Sequence, residues 1–239
     1  MKKYVLIIPS ILLYIGMAFS HTVEFHAEFN KILNKHVFEG AVDYASLKYN
    51  RFQLDAYLTT LAGVDKVTFY SWSRDAQLAY VINLYNAATL QLIINNYPVK
   101  SIKNIGSIFK GPWDQPVVML FGKKITLNNL EHDIIRKEYN EPRIHMVLVC
   151  AAKGCPPLRS EAYVAERLNE QLNYQSKLYL TSSKGIRIDK DKGRVYLSAI
   201  FKWYGNDFPS VSAFVEKHSG KSLAGLDVRW IDYDWSLND

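Results

Sequence analysis

One stretch constrains this chain more than any other: DAQLAYVINLYNAATLQLIINNYP, residues 75–98, the most apolar run beyond the N-terminal segment. Its spacing is helical, Ser73 or Asp75 can cap its start, and Pro98 closes it. A length of about twenty apolar residues is that of a membrane-crossing helix. Against that, Asn83, Asn86, Thr89 and Gln91 interrupt the run, and a helix apolar on all sides also describes one buried within a protein core. The buried helix is the reading adopted. Asn83 and Asn86, three residues apart, then share a face beside Tyr85, and amides in such surroundings must find partners. Asn83, Tyr85 and Asn86 are therefore candidates both for substrate binding and for an internal polar knot.

Around this helix the pattern mixes helices and short strands. Phe25, Phe29, Ile32, Leu33 and His36 have amphipathic helical spacing, and a second helical stretch opens at Val42-Asp43-Tyr44 and runs through Leu54, Tyr57, Leu58 and Leu61. Val117 to Phe121, Gly122-Lys123-Lys124 and Ile125 read as a hairpin. Thr126 or Asn128 starts the next helix, with Leu127, Leu130, Ile134 and Ile135 on one side and a capping-box spacing from Asn128 to Glu131. Arg143 to Val149, rich in Ile and Val, reads as a strand leading past two cysteines into a helix from about Ser160 to Tyr179. A second hairpin carries Ile186 and Ile188 on one arm and Val195 and Leu197 on the other, with Asp189 to Gly193 as its turn. The ending mixes helix and strand: SAIFKWYGNDF, a short helix from Ser210 to His218, and the stretch from Val228 to Trp235.

With no repeat and no linker, the expectation is a single α+β domain over residues 21–239, its buried central helix packed on a small mixed or antiparallel sheet. In outline such a domain resembles papain-like and transglutaminase-like cores. Their nucleophile begins the central helix, however, and no cysteine occurs near Ser73 to Asn86, so the analogy is one of shape.

The chain opens MKKYVLIIPSILLYIGMAFS. Two lysines, an apolar run from Val5 to Ala18, and small residues three and one before a cut read as a secretory signal peptide over residues 1–20. The run is short for a span and is interrupted by Pro9 and Ser10, so cleavage before His21 and a secreted or periplasmic location are expected, without stable membrane insertion. Losing Lys2 and Lys3 takes the basic residues from 29 to 27 against 23 acids, so the formal charge falls from +6 to about +4. The basic residues are scattered, which argues against nucleic acid as a partner.

Five blocks carry a resemblance: INLYNA at 82–87, LNNLEHDIIR at 127–136, PRIHMVLVCAAKGCPPLR at 142–159, LSAIFKWYGNDF at 197–208 and DYDWSLN at 232–238. Together they resemble the domain of unknown function 547 family, from about Phe25 to the C-terminus. The resemblance implies no established activity; members of that family occur as secreted bacterial proteins and as parts of longer plant proteins.

The chemistry-bearing residues gather around residues 131–155. His145, Cys150 and Cys155 lie within eleven residues, with Glu131 nearby, which invites comparison with Cys/His hydrolases. If residues 143–149 form a strand, Arg143 and His145 face one way and Cys150 the other, making Cys155 the better nucleophile and Arg143 a second source of positive field. Cys155 near a helix start would have its thiol pKa lowered by unpaired amides, although Pro156 and Pro157 supply no amide hydrogens. The competing reading is a disulfide between Cys150 and Cys155, favoured by an oxidising compartment and an even count.

Glu131 is either a site carboxylate or a helix-capping acid, while His132 on the same helix is expected to point more to water. Neither HExxH nor paired CxxC occurs, so no metal and no cofactor is assigned. Trp203, Tyr204, Asp207, Phe208, Tyr233 and Trp235 close the core or line a groove for a peptide or sugar. The leading expectation is an exported thiol-dependent hydrolase or acyl transferase acting on an amide or thioester of a small molecule or peptide. Its catalytic residues would be Cys155, His145 and Glu131, with Asn83, Tyr85, Asn86 and Arg143 binding substrate. The rival is a non-catalytic envelope binding or scaffolding module with a bridged cysteine pair.

Overall fold

The structure is a computed structural model that describes residues 25–107 and 109–239; the signal peptide expected over residues 1–20 therefore lies outside the described residues. Helix α1 occupies residues 25–36, followed by a two-residue ladder, β1 (Val37–Phe38) and β2 (Ala41–Val42). The second helical stretch divides into α2 (Tyr44–Tyr49) and α3 (Phe52–Ala62), and α4 (Lys66–Ser71) leads to the long α5 (Arg74–Asn96). Ser73 caps α5 by accepting from the Ala76 amide at 3.2 Å, and the helix ends two residues before Pro98, as its sequence requires. Among the described residues no helix is long and apolar enough to cross a membrane.

Helix α5 is buried along most of its length, from Ala76 to Leu90 without interruption. Helices α2 and α3 pack on it, as do strand β3 (Val118–Leu120) of the first hairpin and the helical turn that follows β4 (Lys123–Ile125). Its buried amides have a definite task. Asn83 Nδ2 donates to the Tyr163 carbonyl at 2.8 Å while its Oδ1 accepts from the Tyr163 amide at 3.0 Å. Asn86 Nδ2 donates to the Val147 carbonyl and Oδ1 accepts from the Val149 amide, both at 3.0 Å. Each side chain thus imitates a neighbouring strand for an irregular segment crossing the helix, satisfying backbone groups that burial would otherwise leave unpaired.

That arrangement corrects one expectation. Residues 143–149 form no strand: Pro142–Met146 is a 3₁₀ turn, and the chain then continues irregularly toward Cys150. Pro142 at the first helical position and Glu141, whose side chain accepts from the Arg143 amide at 3.1 Å, start the turn. An apolar run of this length signals burial but not the type of element, and here Asn86 supplies the hydrogen bonds that a neighbouring strand would have supplied. The alternation of faces inferred from a strand does not hold. Similarly, the helix expected from Ser160 begins later, with a 3₁₀ turn at Ala165–Arg167 and then α7 (Leu168–Thr181), because residues before it are drawn out to meet Asn83.

The second hairpin is present as β5 (Ile186–Asp189) and β6 (Arg194–Ser198), with Ile186 opposite Leu197 and Ile188 opposite Val195. Short helix α8 (Ala199–Trp203) and α9 (Val211–Ser219) precede β7 (Asp227–Ile231), which pairs parallel with β6 and makes the three-stranded sheet mixed. The protein is accordingly an α+β domain.

Candidate functional site

Beyond β7 the chain returns across the loop that holds both cysteines. Lys153 and Gly154 amides donate to the Ser236 and Asp234 carbonyls at 2.8 Å each, and Asn238 donates to Ala151 at 3.3 Å. Gly154 is needed for this approach: a Cβ there would stand 2.9 Å from the Asp234 nitrogen and 3.1 Å from Tyr233 Cγ. Ala151 takes a left-handed conformation at φ 56°, a local cost that the surrounding ladder must hold in place. The result is a rigid loop that brings Cys150 and Cys155 to Tyr233.

The two sulfurs are free thiols. Cys155 Sγ accepts from the Cys150 amide at 3.1 Å, and Cys150 Sγ lies 3.0 Å from the Tyr233 hydroxyl. Their ionisation diverges. The hydrogen bond with Cys155, followed by burial, pushes the Cys150 thiol well up. For Cys155 burial also acts upward, but hydrogen bonds from the Cys150 thiol, the Cys150 amide and Tyr233 outweigh it and bring the pKa below the ordinary value. A thiolate, if formed, therefore belongs on Cys155.

Both cysteines line a cavity of about 260 Å³ together with Tyr85, Glu131 and His145. Glu131 comes from Asn129–Ile135, a π-helical stretch that continues into α6 (Arg136–Glu138). The expected capping box from Asn128 is not formed. Thr126 and Asn129 cap each other instead, the Thr126 hydroxyl accepting from the Asn129 amide at 3.0 Å and Asn129 Oδ1 accepting from the Thr126 amide at 3.3 Å. Freed from capping, Glu131 turns inward and accepts from the Tyr85 hydroxyl at 2.9 Å. Such widened turns recur at functional sites because they re-aim a side chain.

His145 reaches the same cavity from the 3₁₀ turn, stacked on Tyr204 at 4.3 Å between ring centres. Burial holds its pKa below the usual imidazole value, although its bond to Asp207 and the charge of Glu131 work the other way. Neutral His145 therefore donates through Nε2 to Asp207 Oδ2 at 2.7 Å, which leaves Nδ1 as the lone-pair nitrogen. Asp207 is fixed in turn by Arg136, with Nε to Oδ2 at 2.6 Å and Nη2 to Oδ1 at 2.7 Å, and this bidentate pair holds its carboxyl below the usual carboxylate range. Arg136 Nη1 donates to His132 Nδ1 at 2.8 Å. His132 is thus half-buried and belongs to the outer end of the network, although its position on the helix pointed it to water.

The structure brings Glu131, His145, Cys155 and Tyr85 together, and Cys150 with them, although strand alternation had set Cys150 and His145 apart. Asn83 and Asn86 stand elsewhere, on the Tyr163 and Val147–Val149 backbone. Arg143 also stands apart: its guanidinium bonds Glu141, Asn169 Oδ1 at 2.7 Å and Asn173 Oδ1 at 2.8 Å. Sequence reading did not assign Arg136 or the orienting role of Asp207. Their signal was the placement of charged residues inside two of the five blocks, LNNLEHDIIR and LSAIFKWYGNDF. Among the described residues no group of three or more His, Cys, Asp or Glu side chains is disposed to hold a metal.

Residues 69–180 match the model of a family described as "Protein of unknown function, DUF547". That segment contains α5, Glu131, His145 and both cysteines; Tyr204, Asp207 and Tyr233 lie beyond it. No curated protein and no solved structure matches the chain.

Proposed function

The chain belongs to the DUF547 family, whose description assigns no reaction, and from the cavity of this member we propose a thiol-dependent hydrolase or acyl transferase acting on an amide or thioester. The carrying observation is the convergence on one cavity of a thiol with favoured ionisation, Cys155, and an imidazole, His145, oriented by the Asp207–Arg136 pair. The signal-peptide pattern of residues 1–20 supports placing this chemistry outside the cytoplasm.

In the proposed reaction His145 Nδ1 takes the Cys155 proton and the thiolate adds to the substrate carbonyl carbon. The C–N or C–S bond then breaks, the leaving amine or thiol takes the proton back from His145, and the acyl group remains as a thioester on Cys155. Water, or an amine or thiol acceptor, attacks that thioester with Nδ1 as base, releasing the acyl product and restoring the thiol. Asp207 keeps Nδ1 unprotonated at rest and stabilises the imidazolium when it forms, and the charge of Glu131 favours that same state.

The test uses reduced protein with a panel of thiophenyl and p-nitrophenyl esters, quenched in acid for intact mass. An acyl adduct on Cys155, lost in Cys155→Ala and retained in Cys150→Ser, is the expected result. Turnover unaffected by Cys155→Ala with no adduct on wild-type protein overturns the proposal and favours a binding module.

A further inference from the structure

The cavity is electrostatically one-sided. Although the chain carries a formal +6, among the described residues no lysine or arginine lines this space, and Glu131 is the only carboxylate that does. Glu131 is buried, and among the described residues it forms no ion pair; it accepts from the Tyr85 hydroxyl at 2.9 Å and also bonds the Tyr204 hydroxyl. Arg136 interacts with Glu131 through space, but its guanidinium hydrogen bonds go to Asp207 and His132. A buried carboxylate with no direct ionic partner is costly to keep charged unless something supplies one.

The walls supply the other half of the argument. Trp203, Tyr233 and Trp235 form a contiguous ring cluster, with Tyr233 to Trp235 at 4.6 Å, Trp203 to Tyr233 at 4.9 Å and Trp203 to Trp235 at 5.7 Å, and Trp113 meets Trp235 at 5.9 Å. Aromatic faces carry negative potential and attract cations, tryptophan most strongly. This wall already shows it: the Lys103 ammonium stands 3.9 Å from the centre of the Trp235 ring, although Lys103 is not a lining residue of the cavity.

We propose that the cavity binds a cationic group, a primary or quaternary ammonium held against the Trp203, Tyr233 and Trp235 rings with Glu131 as its counter-charge. This rests on the reading above of the cavity as a substrate site and narrows it: the amide or thioester substrate carries an ammonium. A cation so placed satisfies Glu131 without any change in the fold.

The experiment follows tryptophan fluorescence of Cys155→Ala protein, which performs no thiol chemistry, during titration with choline and with its uncharged carbon isostere 3,3-dimethyl-1-butanol, then with butylammonium and 1-butanol. At least one cation should bind about tenfold more tightly than its neutral partner, and Glu131→Gln should reduce that preference to about twofold or less. Lys103→Met should leave it intact. Equal binding of both cations and their isosteres to the Glu131-containing protein overturns the proposal without any need of a variant, and so does a preference that survives in folded Glu131→Gln. The two readings fail separately. A Cys155 acyl adduct without cation preference removes this inference alone, whereas cation preference without an adduct removes the thiol chemistry and leaves the ammonium site.

Discussion

Two regions of this molecule bury polar side chains for different ends. Along α5, Asn83 and Asn86 bond only to main chain, each closing a two-bond clamp on a crossing segment. At the cavity, Glu131, His145 and the cysteines, with Asp207 behind His145, bond mainly to one another and to tyrosine hydroxyls. The first pattern commits both the amide nitrogen and the amide oxygen of the side chain to the backbone. The second keeps a lone pair on His145 and a thiol of favoured ionisation beside open space. Burial of a polar group therefore does not mark a site by itself; what the group is bonded to decides.

If the helical region is purely structural, its effects must appear in stability. The largest expected effect is acid destabilisation through His26, packed in the α1–α3 contact with Nδ1 2.7 Å from the Tyr57 hydroxyl. Burial lowers its pKa from 6.5 to about 3. Because the folded value lies below the unfolded one, the unfolded chain binds the extra proton first. The contribution of neutral His26 is complete above pH 6.5 and is lost progressively as the pH falls toward 3, about 3 kcal/mol by pH 4. Urea melts from pH 7 to 4 should show this slope, and His26→Gln should flatten it.

Next in size, Asn86→Leu leaves the Val147 carbonyl and Val149 amide unpaired in the core and should cost about 2 to 3 kcal/mol in denaturant unfolding. An unchanged midpoint breaks the distinction between clamp and site. Gly154→Ala should cost about 1 to 2 kcal/mol, since the added methyl must displace the Asp234 backbone; as that segment carries Tyr233, the labelling rate of Cys155 should change with it. Asp207→Asn sharpens the comparison from the other side. Its ion pair is partly exposed, so stability should change by about 1 kcal/mol or less. Turnover of the ester panel should fall by about a hundredfold or more, because an amide can present its NH₂ to Nε2 and move the imidazole proton to Nδ1.

Much of the architecture was legible in the sequence. Ser73 and Pro98 bound α5, and the β5–β6 register follows from alternating Ile186, Ile188, Val195 and Leu197. Residues 143–149 were not legible as a 3₁₀ turn followed by irregular chain, because an Ile/Val-rich run reports burial without reporting which group completes its hydrogen bonds. Here the partner is Asn86, sixty-one residues before Val147. The same limit governs the site. Cys155, His145 and Glu131 stood out by residue type and proximity, whereas Arg136 joins His145 only through Asp207, across a separation of seventy-one residues, and no local spacing encodes that contact. Glu131 also satisfied a capping pattern that the Thr126–Asn129 pair fulfils instead.

The central claim is that the cavity divides two neighbouring thiols into one that ionises readily and one that does not. The direct measurement is the pH dependence of iodoacetamide labelling at each cysteine of reduced native protein, resolved by peptide mass spectrometry. Cys155 should label faster near neutral pH, with an apparent pKa below that of an ordinary cysteine, while Cys150 labels only at higher pH. Tyr233→Phe, which removes a hydroxyl that favours the Cys155 thiolate, should move the Cys155 profile upward. Faster labelling of Cys150, or a Cys155 profile no different from that of a free thiol, contradicts the account.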